Sequence, residues 1–333
     1  MGKNLLLLAI ILAGLFLRLY NLGGESVWTD EAATVRRARG GILAAVFEPG
    51  NFHPFYTVLM HFWGVFFGYS EYSIRLPAAV FGTLAVYAMY RVGVILFDEE
   101  VGLLSALLLG LSAFHISFSQ EARGFSLMVL LCLCSMYYFI SLLDRLKKSH
   151  MVGYVAASML LLYTHPYGIF LVLAQNIYIA ASYVILRGNN GLGVRVWILL
   201  QSIVAVFYMP WAVIAVRYMP DRLRVLSWLP KPSLNEVFWT LGSFTGTENF
   251  HNYLLGCLFL LLALISLPSI KADARKAGIT LLWFLTPIIA PYVVSRVWVP
   301  IDFYPKYKIT ASLALYLLVA RGLMAVNSRT VRL

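Results

Sequence analysis

The sequence predicts an all-α polytopic membrane protein with about ten transmembrane helices, and three observations carry that reading. Of its 333 residues, 61% are hydrophobic and 12% are Asp, Glu, Lys or Arg, about half the charged share of a soluble domain. Apolar residues gather into runs near the roughly 20 residues that a membrane helix needs, and mean hydropathy is +0.79. Lys and Arg collect in alternate short connections, as cytoplasmic loops require. A soluble Rossmann, barrel or sandwich fold is excluded. The net charge of +11 is assigned to those loops and to anionic lipid headgroups, not to nucleic acid, for which no motif is present.

The runs fall at residues 4 to 21, 75 to 97, 101 to 119, 124 to 143, 150 to 165, 167 to 186, 195 to 217, 252 to 270, 277 to 297 and 308 to 326. Leu5 to Tyr20, after Lys3, has the outline of a signal sequence without a small-residue cleavage site, so it is read as a signal anchor. An eleventh run, Phe55 to Gly68, is too short for an upright crossing and carries His61, which favours an interfacial or re-entrant helix. Cys132, Cys134 and Cys257 all lie in apolar runs, with neither a disulfide framework nor metal-ligand spacing. The chain reads as one transmembrane domain over residues 1–333, without tandem repeats.

Parity orients the chain. With the amino terminus inside and residues 55–68 not crossing, the cytoplasmic connections are 144–149, 187–195, 271–276 and the tail after Arg321, each rich in Lys or Arg. Counting 55–68 as a crossing would move these loops outside, against the positive-inside rule. Two long outer loops remain, 21–74 and 218–251, with shorter ones near 120–124, 165–167 and 298–308. Ten of the fifteen acids lie on that side, so function is sought at the extracytoplasmic boundary of the cell membrane.

The outer segments hold the candidate residues. In ESVWTDEAATVRR, Thr29 is a helix cap in prospect, and Asp30 and Glu31 fall in the first turn, where the helix dipole favours them. Neighbouring helix positions point about 100° apart, so only one of the two acids can face a given reacting atom; the other serves a partner. In NFHPFYTV, Pro54 starts a helix and His53 precedes it, leaving His53 as a substrate contact or a structural residue. Gln120, Glu121 and Arg123 stand between two apolar helices, where ionisable groups are functional candidates by default, although Glu121 and Arg123 could neutralise each other. His165 precedes Pro166 and reads equally as a site residue or as a partner for carbonyls freed at the break. Lys306, Tyr307 and Lys308 reach the outer boundary either as snorkelling anchors or as a phosphate clamp.

Four stretches, ESVWTDEA, HPFYTVLMHFWGVFFGYSEYSIRLPAAVFG, SFSQEARGFSLMVLL and YTHPYGIF, taken in this order and spacing, resemble the GT-C superfamily of membrane glycosyltransferases. The likeness is to the branch with protein O-mannosyltransferases and aminoarabinose transferases, and it covers about residues 15 to 175. It implies a GT-C fold whose first outer loop holds juxtamembrane helices. It also implies transfer of a sugar, with inversion, from a polyprenyl-phosphate (dolichyl-type) donor to a protein, lipid or glycan acceptor on the extracytoplasmic face. Asp30 matches the family's catalytic base, in keeping with the single carboxylate that direct displacement needs; a retaining route would call for a second carboxylate close by. Glu31 matches the family's second acid, Glu121 its acid near the start of the following helix, and His53 the residue before the proline of its HP motif; with His165 these are expected to bind substrate. Arg123, Lys306 and Tyr307 are expected at the carrier phosphate, with Lys306 and Tyr307 standing where relatives carry an Arg-Tyr pair. No cofactor is required by these residues, and a divalent metal is left open. The competing reading is a transporter or flippase of a lipid-linked sugar, for which inverted repeats and midplane helix breaks are the signature; neither is evident. A structural subunit presenting its outer loops is a third reading.

Overall fold

A computed structural model of the chain describes residues 2–48, 50–185, 192–218, 231–246, 250–271, 273–302 and 304–330. No strand occurs among the described residues. Helices are α1 (Lys3–Leu19), α2 (Thr29–Arg39), α3 (Gly41–Phe47), α4 (Pro54–Phe67), α5 (Glu71–Leu96), α6 (Glu99–Leu111), α7 (Ala113–Ser119), α8 (Phe125–Asp144) and α9 (Lys148–Thr164). They continue with α10 (Gly168–Ile185), α11 (Val194–Arg217), α12 (Leu234–Ser243), α13 (Phe250–Lys271), α14 (Ala274–Val297), a 3-10 turn (Pro305–Lys308) and α15 (Ile309–Thr330).

Each of the ten expected runs is helical, because a backbone inside a bilayer must satisfy its own hydrogen bonds. By length and composition α5, α8, α11, α14 and the helix through Pro305–Val326 can each cross a membrane, and α6 with α7 makes a sixth span bent by 60°. Of the remaining runs, α1 and α9 form shorter helices of 17 residues each. The apolar run 55–68 is α4, 14 residues long and started by Pro54, with Gly68 at φ 73° ending it. Residues 219–230 and 247–249 of the segment expected as a second outer loop lie outside the described residues; α12 belongs to this segment.

The bundle is centred on α8 and α15, which are largely buried, while α11 lies at the rim and exposes most of its apolar surface, as a lipid-facing span does. Small residues let spans approach. A Cβ on Gly322 would lie 2.0 Å from the Leu262 carbonyl oxygen, and one on Gly93 would lie 2.6 Å from the Gly102 Cα, which brings α13 to α15 and α5 to α6.

The bend between α6 and α7 has a local cause. Arg18 of α1 is fully buried. Its guanidinium donates to the carbonyls of Gly14 (3.0 Å), Gly110 (3.0 Å) and Leu109 (3.2 Å) and to Ser119 Oγ (3.2 Å). Leu109 and Gly110 are in the last turn of α6, where carbonyls lack intrahelical partners, and Ser112 caps α7 by accepting from the His115 N–H. The arginine thus replaces the hydrogen bonds that a continuous helix would have made.

Ion pairs gather at the end of the bundle remote from α2. Lys3 meets Glu99 at 2.7 Å, Arg321 meets Asp98 at 3.4 Å and Arg275 meets Asp144 at 2.6 Å. The acidic run 98–100, which interrupts an otherwise basic set of loops, is therefore matched by Lys3 and Arg321. Asp30, Arg123, His53 and His165 line one cavity at the opposite end.

Candidate active site

The segment between α1 and α5 packs as α2, α3 and α4 over the bundle. Trp28, not Thr29, is the residue flanking α2; the expected hydroxyl cap is replaced by Glu31, whose Oε2 accepts from the Trp28 N–H at 3.3 Å. Glu31 is fully buried. It also receives Arg75 Nε on Oε1 (2.9 Å), Arg75 Nη2 on Oε2 (2.8 Å) and the Ala122 N–H on Oε1 (2.7 Å). Arg75 further donates to the carbonyls of Leu22, Glu25 and Ser26, so one guanidinium ties α5 to the entry of the outer loop. Burial alone would raise the Glu31 carboxyl, but the Arg75 fork and the backbone donors outweigh it and hold the group below its ordinary value.

Asp30 turns the other way. It is partly exposed, and its Oδ2 accepts from Arg123 Nη1 at 2.6 Å. Arg123 therefore pairs across the cavity with Asp30 and not with Glu121. Glu121 Oε2 is buried and has no hydrogen-bond partner among the described residues. Burial pushes the Glu121 carboxyl up to about 7, against the pull of Arg123 and Lys306 and with the aid of the charges on Glu31 and Asp30. The turn itself is anchored by Gln120, whose Nε2 donates to the carbonyls of Tyr20 (2.8 Å) and Leu17 (3.2 Å) at the end of α1.

His53 and His165 stack, with ring centroids 4.7 Å apart. His53 Nδ1 donates to the Thr164 carbonyl at 3.0 Å, satisfying a group left open where Pro166 ends α9, while His165 Nδ1 accepts the Tyr167 N–H at 3.1 Å. Tyr307 extends the stack, 5.5 Å from the His165 ring. With Asp30 and Arg123 these groups line a polar cavity of about 190 Å³, which also takes in Arg37, Tyr56 and Thr57.

Lys306 lies outside this cavity and lines a second, mainly apolar one of about 360 Å³ with Phe114, Phe118, Trp239, Tyr304 and Pro305. Its ammonium sits over Tyr304 (5.1 Å), Trp28 (5.4 Å) and Phe125 (5.9 Å). Arg123 stands over two of the same rings, Phe125 at 4.8 Å and Trp28 at 5.8 Å. Two cations, one from each cavity, thus share one aromatic support, each favoured by the ring quadrupoles. Lys308 behaves differently from its neighbour. The snorkelling position expected for it is not adopted: Lys308 is buried in an ion pair with Asp302, whose N–H donates to Ser295 Oγ at 2.7 Å. Burial in the bundle supplies the partner that water would otherwise have provided, and the pair fixes the 3-10 turn carrying Lys306 and Tyr307.

Of the sequence-derived candidates, Asp30, His53, Arg123, His165 and Tyr307 converge on the polar cavity; Lys306 lines the second cavity and shares the Phe125 ring with Arg123, while Glu31 and Glu121 do not line the polar cavity. Arg37 and Arg75 were not singled out. Arg75 carried a usable signal, a charge inside an apolar span; Arg37 carried none beyond its spacing of seven from Asp30.

Residues 52–216, about half of the chain, match the family described as dolichyl-phosphate-mannose-protein mannosyltransferase. No curated protein matches the sequence. Among solved structures, the fold is similar to the oligosaccharyltransferase AglB from Archaeoglobus fulgidus in complex with an inhibitory peptide and a dolichol-phosphate (15% identity, TM-score 0.68, 98% of this chain and 50% of that one). It is similar also to ArnT from Cupriavidus metallidurans bound to undecaprenyl phosphate (17% identity, TM-score 0.68, 97% and 60%). The protein O-mannosyltransferase Pmt1-Pmt2 complex from S. cerevisiae, bound to the sugar donor, aligns over 75% of this chain and 37% of that one, with 14% identity and a TM-score of 0.52. The chain spans about half to three-fifths of the length of AglB and ArnT, and at these identities the likeness concerns the fold. The family match and the fold together support a GT-C glycosyltransferase in the branch of the protein O-mannosyltransferases and aminoarabinose transferases.

Proposed function

We propose that the chain transfers a sugar from a polyprenyl-phosphate carrier to an acceptor hydroxyl, with inversion, on the extracytoplasmic face of the cell membrane. The observation that carries this reading is the position of Asp30 and Arg123 on a polar cavity and of Lys306 on an apolar one, with the two cations over the same rings of Trp28 and Phe125. A lipid-linked sugar has the same division: an apolar chain, an anionic phosphate and a polar ring. The polyprenyl chain is assigned to the cavity of Phe114, Phe118 and Trp239, the phosphate to Lys306 and Arg123 with Tyr307 beside them, and the sugar to the cavity of Asp30, His53 and His165. Dolichol-phosphate and undecaprenyl phosphate in the AglB and ArnT structures support a carrier of this class.

Asp30 accepts the proton of the acceptor hydroxyl as its oxygen bonds to the anomeric carbon from the face opposite the phosphate. The bond from that carbon to the phosphate oxygen breaks, and the electron pair leaves with the carrier. The leaving phosphate is already acidic, so the demand on the protein is charge stabilisation, not proton donation. Arg123 links the two events, because its guanidinium pairs with Asp30 and a bound phosphate competes for it. Glu31 acts at a distance by holding α2 and the 120–124 turn in register, a positioning role.

A metal has little to bind here. Among the described residues no three His, Cys, Asp or Glu side chains converge, and the carboxylates of Asp30 and Glu31 already hold guanidiniums. No step is assigned to one. The α6–α7 break raises the transporter reading again, since broken spans mark transport sites. The space beside this break, however, is too small for a water, and its carbonyls are taken by Arg18. The test is to incubate purified chain with several polyprenyl-phosphate sugars and candidate acceptors. Transfer or slow donor hydrolysis that disappears in Asp30→Asn is expected. Protein that moves lipid-linked sugar across vesicles without cleaving it would overturn the proposal.

A further inference from the structure

Helix α5 carries a charge on its lipid-facing side. Val80, Leu84, Tyr87 and Arg91 are all exposed, and their spacings of four, three and four place them on one face of the helix. The first three make a largely apolar stripe, and Arg91 ends it. At 26 residues, about 39 Å, α5 is longer than the roughly 30 Å hydrocarbon core, so its last turns reach the headgroup layer at the end of the bundle remote from α2. Arg91 stands there, about 7.5 Å along the axis before the helix stops at Leu96.

The side chain is held in place. Arg91 Nη1 donates to the Tyr87 hydroxyl (3.0 Å) and Nη2 to the Tyr137 hydroxyl of α8 (2.9 Å), and the guanidinium carbon lies 5.9 and 5.3 Å from the centres of the same two rings. Two of its five N–H donors are thus used, both by neutral groups. Among the described residues no carboxylate pairs with Arg91, whereas Lys3, Arg275 and Arg321 at the same end each have one. Arg18 also lacks a carboxylate, but it is enclosed and spends its donors on three carbonyls and a hydroxyl. A snorkelling arginine would extend to the boundary; this one is turned across the groove between α5 and α8, which pack against each other.

We propose that this groove binds an anionic phospholipid of the leaflet remote from the candidate active site, with its phosphate on Arg91 and an acyl chain along Leu84 and Val80. The site is separate from the one assigned to the sugar carrier and does not depend on the transfer reading. The two tyrosines fix the plane of the guanidinium, whose remaining donors suit a phosphate, and each hydroxyl that accepts from Arg91 still has its own proton to give to a phosphate oxygen. A soluble phosphate would leave the apolar stripe uncovered, and a zwitterionic headgroup would bring a second cation to the arginine, so the occupant is a lipid and an acidic one. A lipid so placed braces α5, which carries Arg75, against α8, which follows the turn of Arg123.

The full chain in detergent is titrated with dioleoyl phosphatidylglycerol and dioleoyl phosphatidylcholine, and bound lipid is counted by native mass spectrometry. Both lipids have the same chains, which leaves the headgroup as the difference between them. Wild type should bind phosphatidylglycerol about tenfold tighter, as a charge-assisted contact gives. Arg91→Gln should bring the two lipids level, and Arg91→Lys should keep a weaker preference, since lysine lacks the planar fork. Two further variants should keep the preference in full. Lys306→Ala separates this site from that of the sugar carrier, and Arg195→Gln, which removes an exposed cation from the helix packed on α9, separates it from a general effect of charge. If Arg91→Gln does not fold, the lysine variant is read alone, and an unchanged preference there counts against the site. Equal binding of the two lipids by wild type, a preference that survives Arg91→Gln or is lost in Lys306→Ala or Arg195→Gln, or displacement of phosphatidylglycerol by an equal concentration of inorganic phosphate overturns the proposal.

Discussion

Replacing Glu31 by Gln tests whether this acid supports the site or touches substrate. Its two oxygens receive four hydrogen bonds, two from Arg75 and one each from Ala122 and Trp28, in full burial. The amide keeps one acceptor oxygen and turns an NH₂ group toward donors, so at least two of the four bonds are lost. Charged hydrogen bonds contribute about 1.5–3 kcal/mol each, and removing one partner of a buried pair costs about 3–5 kcal/mol. The Arg75 bonds to three backbone carbonyls place the expected loss within that range and not above it. Thermal unfolding in detergent should fall by roughly 10 °C, and a double cycle with Arg75→Gln should be strongly non-additive. Because the Glu31 carboxyl is held below its ordinary value of 4.5, its stabilisation is complete above that pH and is lost as pH falls through the lower folded-state value. Unfolding of Glu31→Gln at the wild-type temperature, together with loss of transfer, would show that Glu31 meets substrate and that the supporting role is wrong.

Asp30→Asn should lower transfer by about 100-fold or more while leaving donor binding intact; single-turnover rates at saturating donor decide it, and a wild-type rate removes Asp30 from the chemistry. Lys306→Ala should raise the donor concentration for half-maximal rate, and Lys306→Arg should retain or improve it; an unchanged donor dependence in the alanine variant makes Lys306 an anchor only. The Glu121 carboxyl is pushed from 4.5 up to about 7, so the folded state holds its proton longer than the unfolded one and loses stability as pH rises between those values. Relative to wild type, Glu121→Gln should therefore gain stability across that window, and a difference that does not vary with pH contradicts the assignment. Cysteine labelling in intact cells should reach position 236 and spare position 148; the reverse pattern would invert the chain and move the site to the cytoplasm.

What could be read from the sequence follows from what a bilayer demands. Apolar runs located the helices because membrane backbone must bond to itself, and α4 was set apart because its run is too short to cross. The break at Ser112 was not legible: residues 101–119 are apolar without proline, and the bend depends on Arg18, which lies more than ninety residues away in sequence. Arg18 and Arg75 were nonetheless findable, as charges within apolar runs. The candidate residues of separate loops could be named one by one, but their partners could not. Spacing offers Arg123 a pairing with Glu121, two residues away, when its partner is Asp30, and it offers Lys308 as a snorkelling anchor or part of a phosphate clamp when Asp302 takes it inward. Local spacing gives a helix face; it does not say which distant carboxylate will meet it.

The two adjacent acids show how the fold turns that ambiguity into a defined site. Side chains one position apart on α2 differ by about 100° in direction, so burying Glu31 forces Asp30 toward the cavity. Arg75 holds Glu31 from α5, and Glu31 in turn accepts from the Ala122 N–H, one residue before Arg123. Arg123 then reaches Asp30, closing a circuit from α5 through α2 to the 120–124 turn and back to α2. Every member of the circuit fixes the rotation of α2 about its axis. A slip of one residue would carry Asp30 into the place of Glu31 with a side chain one methylene shorter, too short to bridge both Arg75 and Ala122, and would turn Ala33, Thr34 and Arg37 away from the cavity with it. The buried ion pair is thus best understood as a register device, a use for which buried charge is well suited, and it accounts for why an acid that faces away from the cavity stands next to the one that lines it.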